Sequence, residues 1–506
     1  MTAMGVLPQS LYRAAQVRAL DRLVIEEYGV AGIVLMERAG AVVFSCLQSS
    51  WPGAGRIAVL CGAGNNGGDG FVVARLAHEA GMAVDVWLAA PATQLRGAAL
   101  QACEHLHQSG IEPVPYNGEV LQAYDVIVDA LLGTGLDREV GGIWAAAIAA
   151  INASAVPVIS VDIPSGLHAD TGAILGLAVE ARLTVSFIGL KQGMFTAWGP
   201  DCCGRVVFDD LGVPAGVFER IHPAALRIDH EVMAALPPSR QRNAHKGHYG
   251  HVLVVGGDRG MSGAARLAGE AAARSGAGLV SIATRPEHAA MLSVTRPELM
   301  AHGVWDEHGL RKLLAGATVV AAGPGLGKSL WARTLLSVLL AEDRPMVVDA
   351  DALNLLAQAP LRREHWVLTP HPGEAARLLG VSIEAVQADR FRAVVAIQAR
   401  YGGVCVLKGA GSLVFPGAQQ AVALCSAGNP GMASGGMGDV LTGMIAGLLA
   451  QGLAPRVAAR LGVYLHAAAG DQAAASGERG LLAGDLMPGL QRLVNTGQGA
   501  AGTDIE

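Results

Sequence analysis

Along this chain, short apolar runs of strand character end again and again in glycine-dense or acidic turns. Each turn then opens into a segment whose apolar positions follow a helical period. In the first half the runs at Arg56–Cys61, 126–129 and 158–162 lead into turns at 62–70, 130–136 and 163–166, and a helix is predicted over 71–80. In the second half, runs at His251–Val255, Val319–Ala322, 346–349, 366–369 and 404–412 are followed by turns of the same kind, with an alanine-rich helix over 264–274. Strand, turn and helix in alternation predict α/β layers built on mainly parallel sheets in each half. The rhythm breaks between 211 and 246, where Pro214, Pro223, Pro237 and Pro238 interrupt it and 239–246 is polar. The expected organisation is therefore a domain over 1–217, a linker region over 218–245 and a second domain over 246–506. No repeat of 20 to 50 residues is evident, which sets a solenoid aside.

Composition narrows the picture. Hydrophobic residues make up 51% of the 506 and aromatics only 4%, so the apolar content is mostly Ala, Val and Leu, suited to helices laid closely on parallel sheets. A formal charge of −6 without any basic run argues against a nucleic-acid partner. The 7 cysteines, with Cys202 and Cys203 adjacent, show no C-x-x-C or metal-ligand spacing and read as thiols of a reducing compartment. The stretch 440–454 is glycine-broken and shorter than the ~20 residues a spanning helix needs, so a buried helix is expected there. With no signal-like N-terminus, the expectation is a cytoplasmic protein with no membrane partner.

Candidate chemistry concentrates in the turns. The segment N-P-G-M-A-S-G-G-M-G-D, 429–439, empties into the apolar run 440–449. A glycine-dense loop at a helix start presents backbone N–H groups to an anion, with the helix dipole behind them. Asp439 is its only ionisable residue. A carboxylate beside an anion site has one obvious task, to take a proton from a hydroxyl that attacks a phosphoryl group, although Asp is also a good N-cap. The loop 62–70 follows a strand and precedes a helix, the arrangement of a Rossmann-type pyrophosphate site, without the G-x-G-x-x-G fingerprint. Asp129 and Asp162 end two further strands, where open α/β sheets bind ligands. Asn66, Asp129 and Ser165 offer oxygen donors only, which suits a hard cation. G-P-G-L-G-K-S at 323–329 has Ala322 where a phosphate-binding P-loop needs glycine, so that assignment is set aside. Lys408, in a glycine-flanked turn, would meet nucleotide phosphates; His371 sits between two prolines, and Glu374 or Asp351 would help hold Mg²⁺.

Taken together, these motifs resemble a known family. L-Y-R-A-A-Q-V-R-A-L-D (11–21), L-M-E-R-A-G (35–40), G-N-N-G-G-D-G (64–70), D-A-L-L-G-T-G (129–135) and V-D-I-P-S-G (161–166) resemble the NAD(P)H-hydrate epimerase domain. D-A-D-A-L-N (349–354), T-P-H-P-G-E (369–374), L-K-G-A-G-S (407–412) and the 429–439 segment resemble the ADP-dependent NAD(P)H-hydrate dehydratase. The resemblance spans nearly the whole chain, in the order found in bifunctional bacterial repair enzymes. It implies an N-terminal Rossmann-like three-layer domain followed by a ribokinase-like α/β domain.

The implied activity is metabolite repair. Nicotinamide cofactors hydrated at C6 would be epimerised between R and S forms, and the S form dehydrated at the expense of ADP, giving AMP and phosphate. Carried over by position, Asn65, Asn66, Gly67, Gly68, Asp69, Gly133, Thr134, Gly135, Leu136, Asp137, Arg138, Glu139 and Asp162 would contact the hydrate in the epimerase, and Asn66, Asp129 and Ser165 would bind K⁺. In the dehydratase, Ala264, Gly325, His371 and Asp439 would contact the hydrate, and Lys408, Gly409, Ala410, Gly411, Ser412 and Gly438 the ADP, with Mg²⁺ as cofactor. Asp439 and Asp162 are the expected catalytic residues. The expected partners are the hydrates of NADH and NADPH, ADP and further copies of the chain. Two other readings compete: a ribokinase-like small-molecule kinase, and an N-terminal half that only binds nucleotide and regulates the second.

Overall fold

The computed structural model describes residues 7–496 and divides the chain into two compact units, between Leu226 and Arg227. This division falls inside the stretch expected to be a linker. Much of that stretch is ordered: Ala225 and Leu226 pair antiparallel with Leu11 and Ser10, and Val232, Met233 and Leu236 pack against the C-terminal core.

The N-terminal unit is built on a parallel sheet of β1 (Arg56–Cys61), β2 (Ala83–Leu88), β3 (Val114–Pro115), β4 (Val126–Ala130), β5 (Val158–Val161), β6 (Leu183–Phe187) and β7 (Arg205–Asp209). Their order is β3-β2-β1-β4-β5-β6-β7. Neighbours pair parallel throughout. Along β1, Ile57, Val59 and Cys61 face one core and Ala58 and Leu60 the other, so the period of two buries both faces. Helices Gly32–Ser50, Asn65–Glu79 and Gly97–Gln108 cover the first face and Gly142–Ala153 the second, giving a three-layer, Rossmann-like unit. Strand order reverses between β1 and β4, which leaves a crevice at their C-terminal ends.

One boundary differs from expectation. The helix predicted from residue 71 begins at Asn65, so the glycines of N-N-G-G-D-G form its first turns and not a loop. A Cβ on Gly67 would lie 1.9 Å from the Gly62 carbonyl oxygen, and one on Gly70 would lie 2.6 Å from Ala130 Cβ. These glycines let the helix close down on the strand ends, an outcome that outweighs their poor helix propensity.

The C-terminal unit carries β8 (His251–Val255), β9 (Leu279–Thr284), β10 (Met300–Gly303), β11 (Val319–Ala322), β12 (Met346–Val348), β13 (Trp366–Leu368), β14 (Val404–Leu407), β15 (Ser412–Phe415) and β16 (Val422–Cys425). They run in the order β10-β9-β8-β11-β12-β13-β14-β15-β16, parallel up to β14 and antiparallel beyond it. Helices Ser262–Arg274, Met437–Ala450 and Pro455–Ala473 share the main core with one face of this sheet. The first two press together through small residues: a Cβ on Gly443 would lie 2.0 Å from the Ala268 carbonyl oxygen. The buried helix expected over 440–449 is this element. The unit has the ribokinase-like α/β fold.

Among the described residues one helix, Gly32–Ser50, is long and apolar enough to cross a bilayer, but its Leu35, Ala39, Val43 and Leu47 are core residues of the N-terminal unit. All 7 cysteines are free thiols.

Candidate functional site

Each unit gathers its candidate residues at the C-terminal ends of its parallel strands. In the N-terminal unit the crevice at the strand-order reversal holds a cavity of about 860 Å³. Asn65, Asn66 and Asp69 from the start of helix Asn65–Glu79, the 133–139 loop after β4, and Asp162 after β5 all line it. Gly67 and Gly68 do not; they are spent on packing, Gly68 against the Met36 sulfur.

Beneath the cavity floor, Asp129 is fully buried and accepts bonds from Ser165 Oγ (2.6 Å), Ser165 N (2.9 Å), Ser160 Oγ (2.8 Å) and Leu131 N (3.3 Å). Burial nonetheless pushes its carboxyl upward, those hydrogen bonds opposing only in part. Ser165 Oγ also accepts from Leu132 N at 2.8 Å, which ties the cluster to the 133–139 loop. Asn66 lies against Gly133 in that loop, and among the described residues neither its Oδ1 nor its Nδ2 has a hydrogen-bond partner, although both are buried. The orphaned Oδ1 beside an oxygen-rich cluster is what a hard cation would satisfy, as it would not the Nδ2 donor.

Three aspartates face one another across the cavity. Asp69 is held well above the usual carboxylate range, by burial first and then by Asp162 and Asp21. Asp21, on helix Ala14–Glu26, is pushed to about 6 by burial and by Asp162, with Lys191 opposing. Asp162 sits with φ at 65°, a left-handed conformation that costs a non-glycine residue energy. Its Oδ1 accepts from Phe187 N at 3.2 Å and from the Lys191 ammonium. Neither Asp21 nor Lys191 was among the expected site residues. Asp21 had a signal, as the last residue of the 11–21 motif; Lys191 had only its position inside an apolar run.

In the C-terminal unit, Gly436 at φ 92° caps helix Met437–Ala450, and Asp439 lies in its first turn. Lys408 projects from the tight turn between β14 and β15, pairing with Asp349 Oδ1 at 2.6 Å and lying 3.9 Å from Glu374 Oε2. A Cβ on Gly438 would fall 3.1 Å from Lys408 Nζ, so the first turn of the helix rests against this lysine. Burial works against the Lys408 charge, yet Asp349, Glu374 and Asp439 outweigh it and its pKa is raised. Asp439 is pushed to about 7, by burial first and then by Asp349. Glu374 is also pushed to about 7, mainly by burial. The buried Arg390 guanidinium donates to the carbonyls of Leu407, Lys408 and Gly411 and so braces the turn from behind.

His371 caps helix Pro372–Leu379: Nδ1 accepts from Gly373 N at 2.9 Å, and Glu374 Oε2 accepts from His371 N at 2.8 Å. That reciprocal box explains its setting between two prolines. Ala264 and Gly325 meet across the loops after β8 and β11, a Cβ on Gly325 falling 3.1 Å from Ala264 Cβ. In the 323–329 segment Lys328 is exposed and precedes Leu330–Leu340, whose N-cap is Ser329, while Gly327 N donates to Asp351 Oδ2 at 2.9 Å. Among the described residues no group of three His, Cys, Asp or Glu side chains has metal-ligating geometry.

Comparison with known proteins decides between the readings. The family described as NAD(P)H-hydrate dehydratase matches residues 252–492, and that described as YjeF-related protein N-terminus matches 32–193. The chain is 51% identical to the bifunctional NAD(P)H-hydrate repair enzyme Nnr of Coxiella burnetii, across 96% of this chain and 99% of that one. The chain belongs to the bifunctional NAD(P)H-hydrate repair enzymes. The Escherichia coli member is 43% identical over 97% of this chain. Among solved structures, a ribokinase-like superfamily protein from Enterococcus faecalis superposes with a TM-score of 0.51 at 29% identity, covering 54% of this chain and 96% of its own. A Bacillus subtilis ADP/ATP-dependent NAD(P)H-hydrate dehydratase, co-crystallised with ATP and Mg²⁺, is 32% identical over 52% of this chain and 94% of its own, with a TM-score of 0.46. The repair enzyme thus joins an epimerase unit to a dehydratase unit, and the kinase and regulatory-module readings fall away.

Proposed function

We propose that the C-terminal unit dehydrates the S hydrate by phosphoryl transfer from ADP, with Asp439 as general base. The carrying observation is a half-buried carboxyl pushed to about 7 in the first turn of a helix that follows a glycine-dense loop. Asp439 takes the proton of the C6 hydroxyl as that oxygen attacks the terminal phosphorus and AMP departs. The backbone amides around Gly435 to Gly438 hold the transferring phosphoryl group, and the 408–412 turn holds the nucleotide. Phosphate then leaves C6 as a proton leaves C5, and the dihydropyridine is restored. Hydroxide alone is a poor leaving group; phosphate is not. Ala264, Gly325 and His371 contact the hydrate. Mg²⁺ fits here as an ion held mostly by nucleotide phosphates and water, for which one side chain, Glu374 or Asp351, would suffice. When bound, it neutralises phosphate charge.

In the N-terminal unit, the hydrate lies in the 860 Å³ cavity against Asn65 to Asp69 and the 133–139 loop, its C6 near Asp162. Epimerisation at C6 needs one group to give a proton to the departing oxygen and another to take one when water returns on the opposite face. Asp69, held in its protonated form, is the donor and Asp162 the acceptor; clustered carboxyls with unlike environments divide acid and base work in this way. K⁺ is held by Asn66, Asp129 and Ser165. The enzyme acts in the cytoplasm, as a homo-oligomer.

The test supplies both epimers of NADH hydrate with Mg²⁺, K⁺ and either ADP or ATP, and follows the absorbance of reduced nicotinamide. Recovery past the S fraction, faster than spontaneous epimerisation, establishes both activities in this chain and names the nucleotide. Recovery that stops at the S fraction removes the epimerase role; none at all removes the phosphoryl mechanism.

A further inference from the structure

We infer that Lys191 is the positioning residue of the epimerase, deciding which of three clustered aspartates carries the proton: Asp162 is left as a carboxylate and Asp69 takes the proton. This rests on the reading of Asp162 as the base. Lys191 is completely buried and its ammonium has three acceptors, Asp162 Oδ1, Ser186 Oγ at 2.9 Å and the Phe187 carbonyl at 3.5 Å. An ammonium has three N–H groups, so none is left for substrate, and Lys191 acts through Asp162.

The backbone agrees with that assignment. Asp162 N donates to the Val185 carbonyl at 2.7 Å while its side chain accepts from Phe187 N, so β6 grips the residue on both sides and holds it at φ 65°. Ser186, the other side-chain acceptor of Lys191, lies on the same strand. Strand β6 therefore fixes acceptor and cation together, and the strain at Asp162 turns its carboxylate toward the lysine.

The titratable groups facing Asp162 are Asp21 on helix Ala14–Glu26, Asp69 on helix Asn65–Glu79 and Lys191. Arg18 and Arg138 also line the cavity, but Lys191 is the cation with an ion pair to one of the three carboxyls, and as that one is Asp162 a proton retained by the cluster is cheapest on a neighbour. The upward displacement of Asp69 and Asp21 by burial and by Asp162 is in keeping with this.

The test is Lys191→Met in the full chain. R to S conversion is followed chromatographically in the absence of nucleotide, with the dehydratase rate as a control. The expected result is a fall in epimerase kcat/KM of about 100-fold or more, with the acid limb of its pH profile moved up by about one unit or more as Asp162 loses its counter-charge. The dehydratase stays unchanged. Activity within about threefold of normal overturns the inference, and so does a large loss with an unmoved acid limb, because that is what a purely structural lysine would give. Should Lys191→Met fail to fold, stability decides. The Lys191→Met/Asp162→Asn double variant, which buries no unpaired charge, is expected to melt above Lys191→Met, and a double that melts no higher overturns the pairing. Asp162→Asn alone separates the two claims. If it keeps near-normal epimerisation, the base reading fails; if it loses activity while Lys191→Met does not, only the lysine inference fails.

Discussion

Both units set one lysine, fully buried in the first and half-buried in the second, against several carboxylates at the ends of parallel strands, but the two lysines hold different members of their clusters. Lys191 bonds directly to Asp162, the residue nearest the proposed chemistry. Lys408 bonds to Asp349, which also accepts from Thr442 Oγ1 at 2.8 Å, and leaves Asp439 to be pushed to about 7. A similar inventory of charges thus gives the two proposed bases unlike settings. One is bonded to its cation; the other is left near neutrality.

The contrast can be broken at several points. Asp439→Asn should lower dehydration by about 10³-fold or more and leave epimerisation unchanged; a variant that still dehydrates at a near-normal rate removes the base. Asp69→Asn, close in shape to a protonated aspartate, should lower epimerisation by about 100-fold with the unit still folded and the dehydratase intact. Next comes pH. A base must be unprotonated to act, so dehydratase kcat/KM should rise with pH through about 7, the value to which Asp439 is pushed. An acid limb near 4 would place the base elsewhere. Gly438→Ala puts a Cβ 3.1 Å from the flexible end of Lys408, which can yield, so a rise of about tenfold in nucleotide KM is expected with little change in kcat. The smallest effect is reserved for Asn66→Ala. It removes an amide with no protein partner, so melting should hardly move while any stimulation of the epimerase by K⁺ disappears.

Much of this is legible in the amino-acid sequence. Strands β1, β8 and β11, the turns after β8 and β11, the buried helix at 440–449 and the position of Asp439 all followed from apolar runs interrupted by glycine. The start of helix Asn65–Glu79 did not, because glycine signals a loop locally and close packing only in three dimensions. Lys191 stayed hidden for a related reason. It lies 29 residues from Asp162, and only the pairing of β5 with β6 brings the two together. His371 has a structural use that its two flanking prolines did not announce: its Nδ1 caps helix Pro372–Leu379. The family motifs reached Asp162 and Asp439 because both stand in local sequence patterns; the lysine that governs one of them does not.

Arg390 carries a consequence for recognition. By drawing the carbonyls of Leu407, Lys408 and Gly411 onto its guanidinium, it holds the hairpin turn in place from below. A nucleotide arriving there meets a rigid mould and has little disorder left to suppress, so its on-rate should owe nothing to a closing flap. Loosening that mould from behind, as Arg390→Lys would, should weaken nucleotide capture through a residue hidden beneath the turn.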